Sequence, residues 1–289
     1  MSHQHPVLSY FILAFALSFG SVLAVIGSGE IPAPPAEAER LFPRVYLAML
    51  TGPSLAGVVL TALTAGREGL RAYRERLCRW RVPLRVYAIA LGTAPVVLLA
   101  TVAALSRVSN DFVPAIWAHD AAGIGPVHGG GVTSFLLLGL SVGAGAGFFE
   151  ELGWTGFAIP NLRLSQSVFH TGLLVGLLWG AWHGPAVYWG SANAFGSVPI
   201  PAFMLVALFS FLPPYRVLMV RVYEHTQSLF IGILMHASLT ASMILLGPAV
   251  AGWPAIAYDI SFGVALWALV LVTQRESATS WLLALSARR

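Results

Sequence analysis

Residues 133–158, TSFLLLGLSVGAGAGFFEELGWTGFA, form a long apolar run whose only charged residues are the adjacent Glu150 and Glu151. A run of this length is long enough to cross the ~30 Å hydrocarbon layer of a bilayer as a helix. Carboxylates at that depth are costly unless other protein groups compensate them. The stretch therefore predicts a transmembrane helix that brings two carboxylates into the interior of a membrane protein.

The rest of the chain has the same character. Of its 289 residues, 57% are hydrophobic and only 10% are charged, whereas an ordinary soluble domain carries roughly 25% charged residues. Because lipid-exposed backbone must satisfy its own hydrogen bonds, these runs favour helices. We predict an all-α, polytopic integral membrane bundle of about eight transmembrane helices, forming a single membrane domain over residues 1–289.

The predicted spans lie near 7–27, 45–65, 85–106, 133–158, 168–190, 200–220, 228–246 and 254–273. Two longer Pro-, Gly- and Ala-rich stretches, 28–44 and 107–132, are predicted as connectors.

The charge pattern predicts orientation. Every basic residue other than histidine is an arginine, and many of the arginines lie between the second and third predicted spans: Arg67, Arg71, Arg74, Arg76, Arg79, Arg81 and Arg85. This loop should be cytoplasmic, and with eight spans both termini should be cytoplasmic too. The basic balance therefore indicates a lipid bilayer as partner and no nucleic acid. Cys78 is the only cysteine, which excludes an intrachain disulfide and a cysteine-based metal site.

A stripe of glycines lies along the fourth predicted span. Gly139, Gly143 and Gly147 recur at four-residue spacing, and Glu150 falls on the same face of the helix. Glu151 points about 100° away. Small residues at this spacing let another helix approach closely, so we expect Glu150 to face the interior of the bundle.

Two further spans carry a glycine face that leads to an imidazole. The residues are Gly172, Gly176, Trp179, Gly180 and His183 in the fifth span, and Gly232, His236 and Thr240 in the seventh. Because the bilayer penalises each ionisable group, we expect Glu150, His183 and His236 to converge on one polar cavity.

Such a constellation is compatible with more than one chemistry. A carboxylate and two imidazoles can activate a water molecule, hold a zinc ion or form a proton relay. The last possibility, a proton-coupled transporter, is disfavoured because no internal repeat is visible in the sequence.

These segments resemble the CPBP family, which includes type II CAAX prenyl proteases and membrane proteins of abortive infection and bacteriocin immunity. The family pattern is Glu-Glu-x-x-x-Arg, then an aromatic residue four positions before a histidine, then His-x-x-x-Asn. Glu150 and Glu151 match the first motif, Trp179 and His183 the second, and His236 begins the third. The resemblance covers roughly residues 45–245, with the catalytic core at about 130–245.

The resemblance implies an intramembrane endopeptidase that uses a glutamate-activated water. Glu150 would be the general base, His183 would hold the water, and His236 with Thr240 would donate to the oxyanion. Glu151 would support this network. Substrates would be membrane-associated proteins or peptides, with prenylation left open, in a bacterial plasma membrane. No cofactor is expected, and zinc held by Glu150, His183 and His236 is the alternative.

Two positions depart from the family pattern. Thr155 stands where the family has arginine, and Thr240 stands where it has asparagine. Loss of the arginine removes a fixed cation that could hold a nearby carboxylate ionised, and this should raise the pKa of that carboxylate. These departures favour the rival hypothesis of a non-catalytic immunity or scaffold protein with the same fold.

Overall fold

The protein is a bundle of helices. The computed structural model describes residues 6–117 and 131–286, with 275–286 as backbone only. The helices are α1 Pro6–Ile26, α2 Pro35–Leu77, α3 Leu84–Leu105, α4 Gly131–Gly153, a π-helical turn Trp154–Ala158, α5 Ile159–Leu162, α6 Val168–Gly190, α7 Ile200–Phe209, α8 Leu212–Thr226, α9 Leu229–Leu246 and α10 Trp253–Ser286. No β-strand occurs in these ranges, so the predicted fold class is confirmed.

Seven helical segments within the described ranges are long and apolar enough to cross a membrane. Helix α6 is not among them, although its 23 residues would extend about 34 Å at 1.5 Å per residue. Its tryptophans, glycines and histidines lower its mean hydropathy. Two of these residues, Trp179 and His183, line a cavity at the candidate active site. Residues 118–130, part of the connector predicted at 107–132, lie outside the described ranges.

The second helix differs from its prediction at both ends. It begins at Pro35, inside the stretch predicted as a connector, and it continues to Leu77 through most of the predicted basic loop. Gly66 interrupts it with a positive φ of 59°, a conformation that glycine adopts without steric cost. The arginine-rich segment is therefore a kinked extension of the helix.

The predicted span 200–220 is in fact two helices. Helix α7 ends at Phe209 and α8 begins at Leu212, followed by Pro213 and Pro214. Proline lacks an N–H, but the first turn of a helix leaves its N–H groups without intrahelical partners, so proline is well tolerated there. Pro213 and Pro214 are therefore compatible with the new helix start at Leu212, four residues before Arg216.

The glycine stripe of α4 packs against α9, as its spacing predicts. A methyl group added at Gly147 would lie 2.5 Å from the carbonyl oxygen of Ile233, and one at Gly143 would lie 2.6 Å from that of Ala237. The two backbones are therefore in direct contact. This approach brings the helix that carries His236 against the helix that carries the glutamates.

The glycine face of α6 packs against α8 in the same way. A methyl group at Gly172 would lie 2.5 Å from the Cα of Val217, and one at Gly176 would lie 2.6 Å from the Cα of Pro213. This contact places Arg216 beside α6. The sequence indicated a close approach here, but not which helix would make it.

The π-helical turn after the glutamates is anchored by the extension of α2. The hydroxyl of Tyr73 donates to the carbonyl of Leu152 at 2.6 Å, and Nη2 of Arg76 donates to the carbonyl of Gly156 at 2.8 Å. A π turn disrupts the regular backbone ladder and is frequent at functional sites. Side chains from α2 thus satisfy carbonyls next to the paired carboxylates.

Candidate active site

Both glutamates face the interior of the bundle. Glu150 is 3% exposed and Glu151 is fully buried. They lie on the last turn of α4, and the following π turn contributes a partner to each. The expectation for Glu150 is confirmed, and Glu151 is buried as well.

Glu151 is held by three side chains from three segments. Nη1 of Arg216 donates to both carboxylate oxygens, at 2.7 and 2.9 Å. Nδ1 of His236 lies 2.7 Å from Oε1, and the hydroxyl of Thr155 donates to Oε2. A buried carboxylate is tolerated when it is paired and fully hydrogen-bonded, as here.

Glu150 has a different environment. Its Oε2 accepts hydrogen bonds from the indole Nε1 of Trp179 at 2.7 Å and of Trp154 at 3.3 Å. Nε2 of His236 lies 3.9 Å from the same oxygen. No side-chain hydrogen bond within the described ranges involves the other oxygen, Oε1. Glu150 is therefore oriented through one oxygen, and the second is left for another partner.

His236 connects the two carboxylates. Its Nδ1 is next to Glu151 and its Nε2 is on the side of Glu150. The carboxylate of Glu151 favours a proton on Nδ1, which fixes the orientation of the ring. In the imidazolium form Nε2 also carries a proton, and the formal charges of Glu150, Glu151, Arg216 and His236 then sum to zero.

Arg216 is a buried cation that the sequence analysis did not single out. Its side chain is fully buried, and its guanidinium carbon lies 4.1 Å from the centre of the Trp179 ring. Trp179 in turn donates to Glu150. Arg216 therefore contacts Glu151 directly and Glu150 through the indole. A lone arginine in the predicted span 200–220 was the signal that could have identified it.

His183 is close to the site but does not contact the glutamates. Its Nδ1 lies 2.9 Å from the carbonyl oxygen of Trp179, and its ring packs edge-on against Trp182 at 4.8 Å. With a proton on Nδ1 for that carbonyl, Nε2 is free to accept a hydrogen bond.

Two cavities that share lining residues lie at the site. Glu150 lines the larger one, of about 450 Å³, and His236 lines the smaller one, of about 200 Å³. His183 and Thr240 line both. The structure thus gathers Glu150, His183, His236 and Thr240 around one pair of cavities, while Glu151 lies behind Glu150 and His236.

Parts of the chain are similar in sequence to known proteins. Residues 132–242 match the profile of the Rce1-like family, described as type II CAAX prenyl endopeptidase Rce1-like. This match agrees with the resemblance of the three motifs to the CPBP family. A stretch of 43 residues is also 42% identical to CAAX prenyl protease 2 of Methanococcus maripaludis, over 15% of this chain and 16% of that protein. The chain thus aligns with only about a sixth of the length of this relative.

The CPBP pattern and the geometry together correct one expectation. Thr155 stands in the position of the arginine of the family pattern, and its presence was expected to deprive a nearby carboxylate of a fixed cation. The structure corrects this expectation for Glu151, because Arg216 of α8 pairs with it and Thr155 adds a hydroxyl donor to the same carboxylate. The cation beside Glu151 therefore comes from a different helix than the family pattern would place it on.

The side chains at the site are poorly arranged to ligate zinc. In the described part of the chain, no three His, Cys, Asp or Glu side chains are grouped so that they could hold a metal ion. Oε2 of Glu150 accepts from two indoles, and Nδ1 of His183 lies at a backbone carbonyl.

Proposed function

We propose that the protein is an intramembrane endopeptidase that hydrolyses peptide bonds of membrane-associated proteins or peptides. The observation that carries the proposal is the environment of Glu150. Two indole donors orient one carboxylate oxygen, and the residue lines an apolar cavity together with His183 and Thr240. A desolvated and oriented carboxylate is suited to general-base catalysis.

The reaction would begin with a water molecule between Glu150 and His183. Glu150 takes one proton from this water, and the oxygen attacks the carbonyl carbon of the scissile bond. Nε2 of His183 accepts the second hydrogen of the water in a hydrogen bond and holds it for attack. The product of this step is a tetrahedral intermediate with a negative oxygen.

His236 and Thr240 are the proposed donors to this oxyanion. His236 in its imidazolium form donates through Nε2, and Thr240 donates its hydroxyl. Both residues line the smaller cavity. The intermediate then collapses: the C–N bond breaks, the nitrogen takes the proton from Glu150, and the carboxylate is restored.

Glu151 and Arg216 act in this scheme as positioning residues. Glu151 accepts from Nδ1 of His236 and directs Nε2 towards Glu150. Arg216 balances the charge of Glu151 and supports the ring of Trp179. Neither residue needs to touch the substrate.

The lining of the larger cavity suggests the substrate class. Its walls are mainly apolar, with residues such as Phe42, Met49 and Trp182. Apolar walls with few polar groups suit an apolar ligand whose orientation those groups fix. A membrane-anchored C-terminal peptide fits this description, with or without an isoprenyl group.

Substitution of Glu150 by glutamine tests the proposal. The full chain is reconstituted in liposomes with a quenched fluorescent peptide that ends in a farnesylated CAAX sequence, and with the same peptide lacking farnesyl. Glu150→Gln keeps the volume of the side chain but cannot accept the proton, so the cleavage rate should fall by about 100-fold or more. Glu39→Gln, an exposed carboxylate outside the site, should cleave as the unmodified chain does.

The same assay separates the alternatives. Full activity of Glu150→Gln would contradict the general-base role, and loss of activity with a chelator would favour a metal. A folded, unmodified chain that cleaves neither peptide would contradict the endopeptidase and favour the non-catalytic scaffold. Proton-coupled uptake into liposomes without cleavage would favour a transporter.

A further inference from the structure

A third cavity, with a cationic lining, lies outside the proposed catalytic site. It has a volume of about 680 Å³ and is enclosed by the turn between α2 and α3 and by the end of α8. Its polar lining is cationic or neutral: Arg79, Arg81, Arg85, His225 and Thr226. The lining contains no Asp or Glu.

The cavity is built on fixed backbone. The hydroxyl of Ser228 donates to the carbonyl of Arg79 at 2.6 Å, and the hydroxyl of Tyr87 donates to the carbonyl of Trp80. Ser228 also caps the N-terminus of α9. The α2–α3 turn is thus hydrogen-bonded to the start of α9 and to α3. These bonds fix the backbone that carries Arg79 and Arg81.

The acidic side chains that lie close in sequence to the cavity lining, Glu224 and Glu75, are already paired. Glu224, next to His225, accepts two hydrogen bonds from Arg163, both at 2.9 Å. Glu75 pairs with Arg71 at 3.1 Å. Within the described ranges no ion pair or side-chain hydrogen bond neutralises Arg79, Arg81 or Arg85. Arg79, Arg81 and Arg85 are exposed and line the same cavity, so an anion bound there would have three cationic neighbours.

The chemistry of the lining favours a phosphate ester. Guanidinium groups match phosphate oxygens with paired N–H donors. Val82, Pro83, Val86 and Ile89 provide an apolar wall beside them, which inorganic phosphate would not use. Trp80 and Leu84 beside the cavity are 57% and 83% exposed, as expected of side chains at a lipid interface.

We propose that this cavity binds the phosphate headgroup of an anionic phospholipid, with the acyl chains along the apolar wall. Basic pockets between membrane helices commonly recognise such headgroups. The site is separate from the proposed catalytic residues. The proposal therefore does not depend on proteolysis.

Quenching of Trp80 by brominated lipid tests the proposal. The full chain is placed in phosphatidylcholine nanodiscs that contain either brominated phosphatidylglycerol or brominated phosphatidylcholine. Comparison with Trp80→Phe isolates the Trp80 signal. Phosphatidylglycerol should quench Trp80 at lower mole fraction than phosphatidylcholine, and Arg81→Gln with Arg85→Gln should weaken this preference by about 30-fold.

The matched control removes two arginines outside the cavity. Arg67 and Arg74 are exposed and do not line the cavity, so Arg67→Gln with Arg74→Gln should keep most of the preference. Equal quenching by the two lipids, or equal loss in both double variants, would overturn the proposal. Displacement of phosphatidylglycerol by millimolar inorganic phosphate would also overturn it, in favour of a free phosphate ligand.

Discussion

Arg216 illustrates how much one residue can decide in this protein. Its guanidinium is fully buried, pairs with Glu151 and stacks on Trp179. Removing one partner of a buried ion pair leaves the other charge unpaired, which is more costly than the pair itself is stabilising. Its substitution should therefore affect both the stability of the fold and the orientation of the catalytic groups.

Arg216→Met should lower the free energy of unfolding by about 3–5 kcal/mol and reduce kcat more than KM. Thr155→Arg added to Arg216→Met returns a cation to the position found in the family pattern and should restore part of the activity. Thermal unfolding in detergent and the peptide assay measure the two effects.

Arg163→Met removes a partly exposed arginine from its pair with Glu224 and serves as the control, with an expected loss of about 1 kcal/mol or less. If Arg216→Met cleaved peptide at the normal rate, the positioning role would be wrong. If activity fell and recovered only in proportion to the stability of the two variants, Arg216 would be structural only.

At the scale of the element, glycine faces decide which helices meet. Gly147 of α4 lies against the backbone of α9, and Gly176 of α6 lies against that of α8. Without side chains at these positions the helices approach closely and gain packing contacts, which drive helix association in membranes. These two contacts carry His236 and Arg216 to Glu151.

Gly147→Ala should destabilise the bundle by about 1–3 kcal/mol, because its methyl group would overlap the carbonyl of Ile233. The control is Gly20→Ala, since a methyl group at Gly20 meets no atom within 4 Å and should be neutral or stabilising. Thermal unfolding in detergent compares the two. Equal melting temperatures for the two variants would contradict the close-packing argument.

At the scale of the whole molecule, orientation follows from the arginines at one end of the bundle. The turn that contains Cys78 carries many of them, so it should be cytoplasmic. Cys78 is exposed and is the only cysteine in the chain. Cys78 is therefore a suitable labelling site for determining the membrane topology.

A membrane-impermeant thiol reagent should label Cys78 in inverted membrane vesicles and not in intact cells. Ser28 is exposed in the connection between α1 and α2, on the opposite side. Ser28→Cys in a Cys78→Ser background should therefore show the reverse pattern. Labelling of Cys78 in intact cells would invert the predicted topology.

The sequence by itself determined the fold class, most of the spans and the residues of the three motifs. These follow from local properties, because the bilayer penalises polar backbone and charge within each span independently of the other helices. The glycine spacing also determined which face of α4 would be buried.

Only the tertiary structure decided which helices meet and which groups pair. The anchoring of the π turn by Tyr73 and Arg76 and the pairing of Arg216 with Glu151 depend on contacts between segments far apart in the chain. A charge inside an apolar span shows that a partner must exist, but the partner is chosen by packing. The cation expected at position 155 could therefore be supplied by α8 without any local sign in the motif itself.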